Sequence, residues 1–356
     1  MAVDPVFWLH RRVLVTGHTG FKGIWLCALL RALGAETAGI ALPPDHAAPL
    51  WRASGLEADL EHHLCDLRDG GRVRALVRAI RPEIVFHLAA RPLVQEGLHD
   101  PLATFAVNLG GTLNLLDALR GEPDLRAVVV VTTDKVYRAE ATAHREDAPL
   151  GGEDPYSASK AAVELAVACW RRCYLPPEDG VGLATARAGN VIGAGDFAPG
   201  RLVPDIVRGV FAGEPVVLRH PDHRRPWQHV LDALDGYLRL AQALAREPAR
   251  FSGAFNFGPD ADRPPTVAEL ARRLLAHFGR GEPIERPRED LERPHLALDS
   301  GRARRLLGWA PRLDLETTLR WTAEGYRELL EEGTAGFLER QIARYADAAP
   351  AREAAA

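Results

Sequence analysis

Short β-branched runs alternate with longer segments of helical periodicity along the first half of the chain. RVLVTG at Arg12 precedes a glycine-rich turn, an apolar helical stretch and a second strand-like run, ETAGIAL. Further strand-like runs lie near residues 64, 84–90, 128–132 and 183–186, separated by helical patterns such as GGRVRALVRAIR. This alternation is typical of a parallel sheet covered by helices on both faces. The sequence therefore predicts an α/β fold with a doubly wound parallel sheet.

Composition and charge narrow the class of partner. The 356 residues are 47% hydrophobic and 26% charged, as in ordinary globular proteins. Lys and Arg number 44 against 48 acidic residues, so no basic excess favours nucleic acid or an anionic membrane. Apolar runs such as IWLCALL are shorter than the roughly 18 residues of a membrane span. We expect a small-molecule partner and a cytoplasmic location.

Cysteine and histidine spacing argues against a metal centre. The four cysteines do not form a CxxC pattern, and the 13 histidines lack the spacing of a metal site. We expect no catalytic metal and interpret all four cysteines as reduced, buried thiols.

Three glycines, Gly17, Gly20 and Gly23, stand between the first strand and the first long helix, in GHTGFKG. Glycine lets the backbone approach a pyrophosphate, and the helix N-terminus attracts its charge. Asp66 ends a later strand-like run, where a carboxylate can bind an adenine. The motif predicts dinucleotide binding. No acid ends the second run at Ala41, so this motif leaves NAD and NADP both open.

A second motif, PYSASK, places Tyr156 and Lys160 four residues apart on one helix face. An ammonium beside a phenol lowers the pKa of the phenol from about 10 toward neutrality. Thr133 follows the buried run VVVV, at the strand end where parallel sheets bind ligands. The two motifs together predict a catalytic tyrosine, lysine and threonine.

GHTGFKG, HLAA, TTDK and YSASK together resemble the extended short-chain dehydrogenase/reductase family, in its nucleotide-sugar branch. The resemblance covers roughly Arg12 to Tyr326. It implies a Rossmann-type sheet with a smaller α/β C-terminal substrate lobe, a bound NAD, and a nucleotide-sugar 4,6-dehydratase activity with CDP-glucose as substrate. It also implies a homodimer or higher homo-oligomer. Its interface helices would contain GGTLNLLDAL and SASKAAVELAVACW, which are apolar on more than one face.

The resemblance also implies roles for individual residues. Tyr156 removes the proton of the sugar 4-hydroxyl, and Thr133 hydrogen-bonds the same oxygen. Asp134 acts as the acid that expels water and Lys135 acts at carbon 5, although swapped or shared roles remain open for an adjacent pair. The implied cofactor-binding residues are Gly17, His18, Thr19, Gly20, Phe21, Lys22, Gly23, Asp66, Leu67, Leu88, Ala89, Ala90, Thr132, Tyr156 and Lys160. The implied substrate-binding residues are Thr133, Asn190, Arg201, Leu202, Arg225, Asn256 and His295.

Residues 1–190 are expected to form the NAD-binding domain with the catalytic residues. Residues 191–330, rich in proline and arginine, are expected to form mainly the substrate lobe, interleaved with the first domain, and 331–356 a helix with a frayed tail. Other interpretations stay open. A 4-epimerase would need the same cofactor, tyrosine, lysine and threonine but has no use for the Asp134–Lys135 pair, and a decarboxylase would also need extra cations for a sugar carboxylate. A dehydratase of the dTDP-glucose or GDP-mannose type is a further alternative, and a dinucleotide sensor would bind the cofactor without turnover.

Overall fold

The computed structural model describes residues 2–138, 143–259, 264–287, 294–332 and 336–348. The strands are β1 Arg12–Thr16, β2 Glu36–Ala41, β3 Glu61–Leu64, β4 Ile84–His87, β5 Ala127–Val131, β6 Gly182–Ala188, β7 Asn190–Ile192, β8 Val216–Leu218, β9 Trp227–His229, β10 Gly253–Phe257 and β11 Pro283–Glu285. The helices are α1 Pro5–Trp8, α2 Phe21–Ala32, α3 Ala48–Ser54, α4 Gly70–Ile80, α5 Val94–His99, α6 Pro101–Phe105, α7 Thr112–Ala118, α8 Pro155–Cys173, α9 Leu202–Ala212, α10 Val230–Arg246, α11 Pro248–Phe251, α12 Val267–Phe278, α13 Gly301–Leu307, α14 Leu315–Arg327 and α15 Phe337–Asp347.

Seven parallel strands form the main sheet in the order β10-β6-β5-β4-β1-β2-β3. The chain fills one side of β1 with β2 and β3, then continues on the other side from β4. The order therefore reverses between β1 and β4, and ligands bind at the carboxyl ends of the strands at such a switch point. The predicted doubly wound sheet is confirmed.

Helices cover both faces of this sheet. Alternate strand residues enter two different cores, since Val13 and Phe86 belong to one core and Leu14 and Val85 to the other. The predicted run in β5 is buried along its whole length. Burial on both faces explains why these strands read as continuous apolar runs rather than as an alternating pattern.

The strand β10, which pairs with β6 at the edge of the sheet, was not predicted from the sequence. It has as many residues as β1 and β5, but it lies in the proline- and arginine-rich segment 191–330, which was expected to form mainly the substrate lobe. Elsewhere in that segment α10 packs on β5 and β6 of the main sheet. Two small parallel pairs lie apart from this sheet, β7 with β9 and β8 with β11, and the second pair packs with α9 and α12. This is the smaller α/β lobe.

The C-terminal helix α15 packs on the main domain, where the ring of Phe337 meets Trp25 edge-on at 5.6 Å. The tail at 349–356 lies outside the described residues. Among the described residues no helix is long and apolar enough to cross a membrane. The expectation of four buried thiols is wrong for Cys169 and Cys173, which are exposed on α8, whereas Cys27 and Cys65 are buried.

Candidate active site

The glycine loop between β1 and α2 lies flat against the end of β4. Gly17 has a φ of +75°, and a Cβ there would lie 2.7 Å from the Ala89 nitrogen. A Cβ on Gly23 would lie 2.1 Å from the Gly17 oxygen. The nearest atom to a Cβ on Gly20, at the N-terminus of α2, would be 3.4 Å away. Glycine is thus required for packing at two positions, and the third leaves the helix N-terminus accessible, as a pyrophosphate site needs.

The side chains of His18 and Thr19 contact the protein rather than the accessible side of the loop. Nε2 of His18 lies 2.6 Å from Nδ1 of His62, and the Thr19 hydroxyl donates to the Leu42 carbonyl at 2.8 Å. Burial lowers the pKa of His18 to about 3, so its ring is neutral. Both side chains pack the loop onto its neighbouring segments, so cofactor binding by His18 and Thr19, which stays a prediction, would use their backbone.

Other predicted cofactor residues gather at the same edge of the sheet. Asp66 follows β3 and pairs with the Arg68 guanidinium at 2.6 Å, which lowers the pKa of Asp66. Leu67 is buried and faces Gly111. Leu88, Ala89 and Ala90 follow β4, where the Leu88 amide donates to the Thr16 carbonyl at 3.1 Å. Segments after β1, β3 and β4 thus meet along one crevice.

A cavity of about 570 Å³ lies where the sheet meets the smaller lobe. Most of the predicted catalytic and substrate residues line it. These are Thr133, Asp134, Lys135, Tyr156, Asn190, Arg201, Leu202 and Arg225, together with Phe21, Lys22 and Thr132 from the cofactor set. Arg219 and His220, which no sequence motif indicated, line it as well.

Tyr156 lies in the first turn of α8 and is hydrogen-bonded to Thr133. The Lys160 ammonium donates to the Val131 carbonyl at 2.9 Å. Burial raises the pKa of Tyr156 to about 12, while the Thr133 hydrogen bond and the charge of Arg201 lower it. Burial also lowers the pKa of Lys160 to about 7. The predicted acidification of the phenol is wrong for this structure, because burial disfavours the phenolate more than the neighbouring groups favour it.

Asp134 follows Thr133 in a short helical turn after β5. Its Oδ1 accepts a hydrogen bond from the Thr133 hydroxyl at 3.0 Å, and its buried Oδ2 has no hydrogen-bond partner in the described part of the chain. Burial raises the pKa of Asp134, against the opposing charges of Lys135 and Arg225. A carboxyl group held in this way favours the protonated form and can donate a proton into the cavity.

Lys22, in the first turn of α2, places its ammonium 5.9 Å from the centre of the Tyr237 ring. Among the described residues it has no hydrogen-bond partner. Burial lowers its pKa to about 8, and the positive charge of Arg201 acts in the same direction. The charge of Asp134 opposes both effects. Lys22 therefore adds a positive charge to the catalytic cavity.

Behind the cavity, Glu164 ties the catalytic helix to the sheet. Its carboxylate accepts hydrogen bonds from the Thr132 hydroxyl at 2.5 Å and the Thr185 hydroxyl at 2.7 Å. It also forms a buried ion pair with Arg187 at 2.8 Å. The Thr132 hydroxyl thus links the end of β5 to α8. Glu164 stands four residues after Lys160 on the same helix face, a spacing that could have indicated it.

Positively charged side chains line the lobe side of the cavity. Arg201 forms an ion pair with Asp196 at 2.7 Å, which helps to raise the pKa of Arg201. Arg225 is buried and donates to the Arg224 carbonyl at 2.9 Å and the Pro294 carbonyl at 3.3 Å. Asn190 begins β7 and Leu202 begins α9. The arginine side chains of the lobe thus place positive charge in the same cavity as the catalytic groups.

Two predicted substrate residues do not line this cavity. Asn256 is buried in β10, where its amide oxygen accepts from the Tyr137 hydroxyl at 2.6 Å and its nitrogen donates to two backbone carbonyls. These bonds occupy the amide of Asn256, and its contact with the substrate stays a prediction that this arrangement does not favour. His295 forms a backbone bridge with Arg224, next to Arg225, and is absent from the residues that line the cavity.

The residues present fit a dinucleotide better than a metal. The close-packed glycine loop, the accessible start of α2 and the switch point of the sheet provide the crevice that NAD requires. In the described ranges, no group of three or more His, Cys, Asp or Glu side chains could hold a metal ion.

Known proteins match this chain over most of its length. A relative from Salmonella typhimurium, CDP-glucose 4,6-dehydratase, is 41% identical over 325 residues, covering 89% of this chain and 90% of its own. A dTDP-glucose 4,6-dehydratase from Xanthomonas campestris is 29% identical and covers 88% and 92%. The solved UDP-glucose 4-epimerase of Thermus thermophilus, in complex with NAD, superposes with a TM-score of 0.75, at 27% identity, over 88% of this chain and 98% of its own.

The family model described as the NAD dependent epimerase/dehydratase family matches residues 13–285. That range contains the glycine loop, the switch point, Thr133, Tyr156 and Lys160. The chain belongs to the NAD dependent epimerase/dehydratase family.

Proposed function

We propose that this protein is a nucleotide-sugar 4,6-dehydratase that converts CDP-glucose to CDP-4-keto-6-deoxyglucose and water. The observation that carries the proposal is the buried Asp134 carboxyl in the same cavity as Thr133 and Tyr156. A dehydratase needs an acid at this place to expel the 6-hydroxyl, and an oxidation alone does not. The 41% identity to a CDP-glucose 4,6-dehydratase supports both the reaction and the base.

The chain's own residues move the protons of this reaction. Tyr156 takes the proton of the sugar 4-hydroxyl, and its hydrogen bond to Thr133 and the positive charge of Arg201 favour the phenolate that this requires. The chemistry that NAD supplies when bound is reversible hydride transfer, out of carbon 4 and back to carbon 6. The glycine loop and the start of α2 would hold its pyrophosphate.

Elimination of water then uses the pair beside Thr133. The 4-ketone acidifies the hydrogen on carbon 5, Lys135 accepts that proton, and Asp134 gives its own proton to the departing 6-hydroxyl. The proton on Lys135 returns to carbon 5, and the proton taken by Tyr156 restores the Asp134 acid, so that only water leaves. The raised pKa of Asp134 suits the role of acid.

The lobe cations supply the binding of the nucleotide. The pyrophosphate of a nucleoside diphosphate is negatively charged, and a guanidinium group can donate paired hydrogen bonds to its oxygens. Arg225, Arg201 and Arg219 all line the cavity. We assign the pyrophosphate to Arg225, with Asn190 and Leu202 on the same side. The boundaries at residues 190 and 330 between the two domains are part of this proposal.

The experiment is incubation of the purified protein with NAD and, separately, CDP-glucose, dTDP-glucose, UDP-glucose and GDP-mannose. The absorbance of a 4-keto-6-deoxy sugar in alkali and the product mass are followed. Loss of one water from CDP-glucose alone confirms reaction and base. An unchanged mass with a changed sugar configuration identifies an epimerase. Bound cofactor without turnover of any sugar identifies a sensor.

An exposed apolar face supports a homo-oligomer. Leu102 is 82% exposed and Leu165 is 64% exposed, and Leu98 and Phe105 are also exposed. They belong to α5, α6 and α8, which pack against one another. We propose that two copies associate through this face. Light scattering tests this: the molar mass in solution should be that of a dimer or larger oligomer for the unmodified protein and lower for Leu102→Glu. The cytoplasmic location stays a prediction from the sequence.

A further inference from the structure

A second cavity, of about 490 Å³, lies on the α8 side of the sheet near its β10 edge. The linings of the two cavities have only the elements α8 and β6 in common. Its walls come from α8, α13, the start of β10 and the segment 145–150. Five arginines and three acidic residues line it: Arg145, Arg171, Arg187, Arg302, Arg305, Glu146, Asp147 and Glu164.

The acidic residues of this cavity are already engaged. Glu164 pairs with Arg187 at 2.8 Å, and Asp147 lies 3.6 Å from Arg145. Glu146 accepts a hydrogen bond from the Asn256 backbone N–H at 2.9 Å, and its charge acts on Arg302. Five arginines against three acidic residues leave the lining with a formal excess of positive charge.

Three arginines, Arg171, Arg302 and Arg305, have neither a hydrogen bond nor an ion pair within the described part of the chain. Arg302 stacks on Phe255, with its guanidinium carbon 4.4 Å from the ring centre. Burial lowers the pKa of Arg171, the charge of Glu164 opposes this effect, and the charges of Arg302 and Arg187 add to it. At the base of the cavity, the buried Nε of Arg187 also has no partner among the described residues. Like charges are thus collected from two helices around one space.

We propose that this cavity binds a small phosphorylated ligand with two or more negative charges, held by Arg171, Arg302 and Arg305. A guanidinium group can donate two parallel hydrogen bonds to phosphate oxygens. An anion bound between three such groups would offset the repulsion among their positive charges. The volume lies within the range of small-ligand sites, roughly 300–1,000 Å³. Arg305 is exposed at the rim and Arg302 is half-buried, so a ligand can enter from solvent.

Inorganic pyrophosphate is the probe, and calorimetry on the full chain is the measurement. The Arg225→Gln background weakens binding at the catalytic cavity. Adding Arg302→Gln and Arg305→Gln should weaken the remaining site at least about tenfold, as expected for the loss of charged hydrogen bonds. The control adds Arg304→Gln and Arg250→Gln, which remove the same charge outside the cavity, and should bind as the background does. Equal binding by both variants would overturn the proposal.

Hydrogen exchange on the unmodified protein gives a second test that needs no substitution. Pyrophosphate should slow exchange in the segments 145–150 and 301–307, which form walls of the cavity. Protection only around the catalytic cavity would show that pyrophosphate does not bind here. Neither result depends on dehydratase activity, so failure of this proposal and failure of the proposed function are distinguishable.

Discussion

The two walls of the catalytic cavity are built in different ways. On the sheet wall, Thr133 and Asp134 directly follow β5, and Tyr156 lies on the next helix, α8. On the lobe wall, Arg201 is held by Asp196, and Arg225 donates to a carbonyl 69 residues away at Pro294. The sheet wall therefore follows from local spacing, whereas the lobe wall depends on tertiary contacts. Chemistry and specificity are thus carried by different kinds of sequence information.

The sheet wall is tested most strongly by Tyr156→Phe. This change removes the proposed base but keeps the aromatic ring at the cavity wall, so we expect kcat to fall about a thousandfold. Circular dichroism and the melting temperature should stay close to those of the unmodified protein. The matched control is Tyr174→Phe, an exposed tyrosine just beyond α8, which should keep full activity. A Tyr156→Phe enzyme within tenfold of the original would remove Tyr156 from the reaction.

Asp134→Asn separates the dehydratase from an epimerase. The substitution keeps the shape of the side chain but removes its acid, so we expect turnover to fall about a hundredfold at the loss of water. Exchange of the carbon 5 hydrogen with deuterated solvent, followed by mass spectrometry, should persist if Lys135 acts at carbon 5. Full dehydratase activity in the variant would contradict the assigned acid. Loss of the carbon 5 exchange as well would shift the carbon 5 role toward Asp134.

The sheet wall could be predicted from the sequence because its residues repeat at helical spacing or follow an apolar strand. Tyr156, Lys160, Thr133 and Asp134 all line the cavity or support it as expected. The pKa of Tyr156 could not be predicted this way. It depends on burial within the folded protein, which the spacing of Tyr156 and Lys160 does not report.

The lobe wall shows where sequence reasoning ends. Asn256 is the clearest case, because membership in the strand β10 turns its amide toward Tyr137 and the backbone. That strand was itself not predicted. Arg219 and His220 line the cavity although no motif surrounds them, since α9 and β8 bring them there only in the folded lobe. Long-range packing decides these positions.

Arg225→Gln tests the lobe wall. We expect KM for CDP-glucose to rise about fiftyfold with kcat changed much less, because a charged hydrogen bond to the pyrophosphate is lost in ground and transition state alike. Steady-state kinetics with CDP-glucose measure both constants. Arg280→Gln, at an exposed arginine of the same lobe, is the control. A fall in kcat with unchanged KM would place Arg225 in the chemistry, and the division between the two walls would not hold.

Buried histidines allow the stability of both regions to be compared. His87 ends β4 and lies 2.7 Å from the Thr16 hydroxyl and 2.8 Å from the Thr112 hydroxyl. His229 ends β9 in the lobe, and its Nδ1 accepts from the Leu231 amide at 3.3 Å. Burial lowers the pKa of each to about 3. Both rings are therefore neutral in the folded protein.

Acid should destabilise the fold through these two rings. An unfolded histidine takes up a proton below about pH 6.5, whereas His87 and His229 in the folded protein do so only near pH 3. Because protons then bind the unfolded chain preferentially, the free energy of unfolding decreases as the pH falls below about 6.5. Between pH 7.5 and 5.5 each histidine should cost about 1.4 kcal/mol of unfolding free energy. Urea unfolding of His229→Asn, which keeps a capping side chain on α10, should show a pH dependence smaller by that amount, and His87→Gln should show the same. His10→Asn, at an exposed histidine, is the control. If His87→Gln alone flattens the dependence, the lobe opens before the sheet does, and the two walls differ in stability as well as in construction.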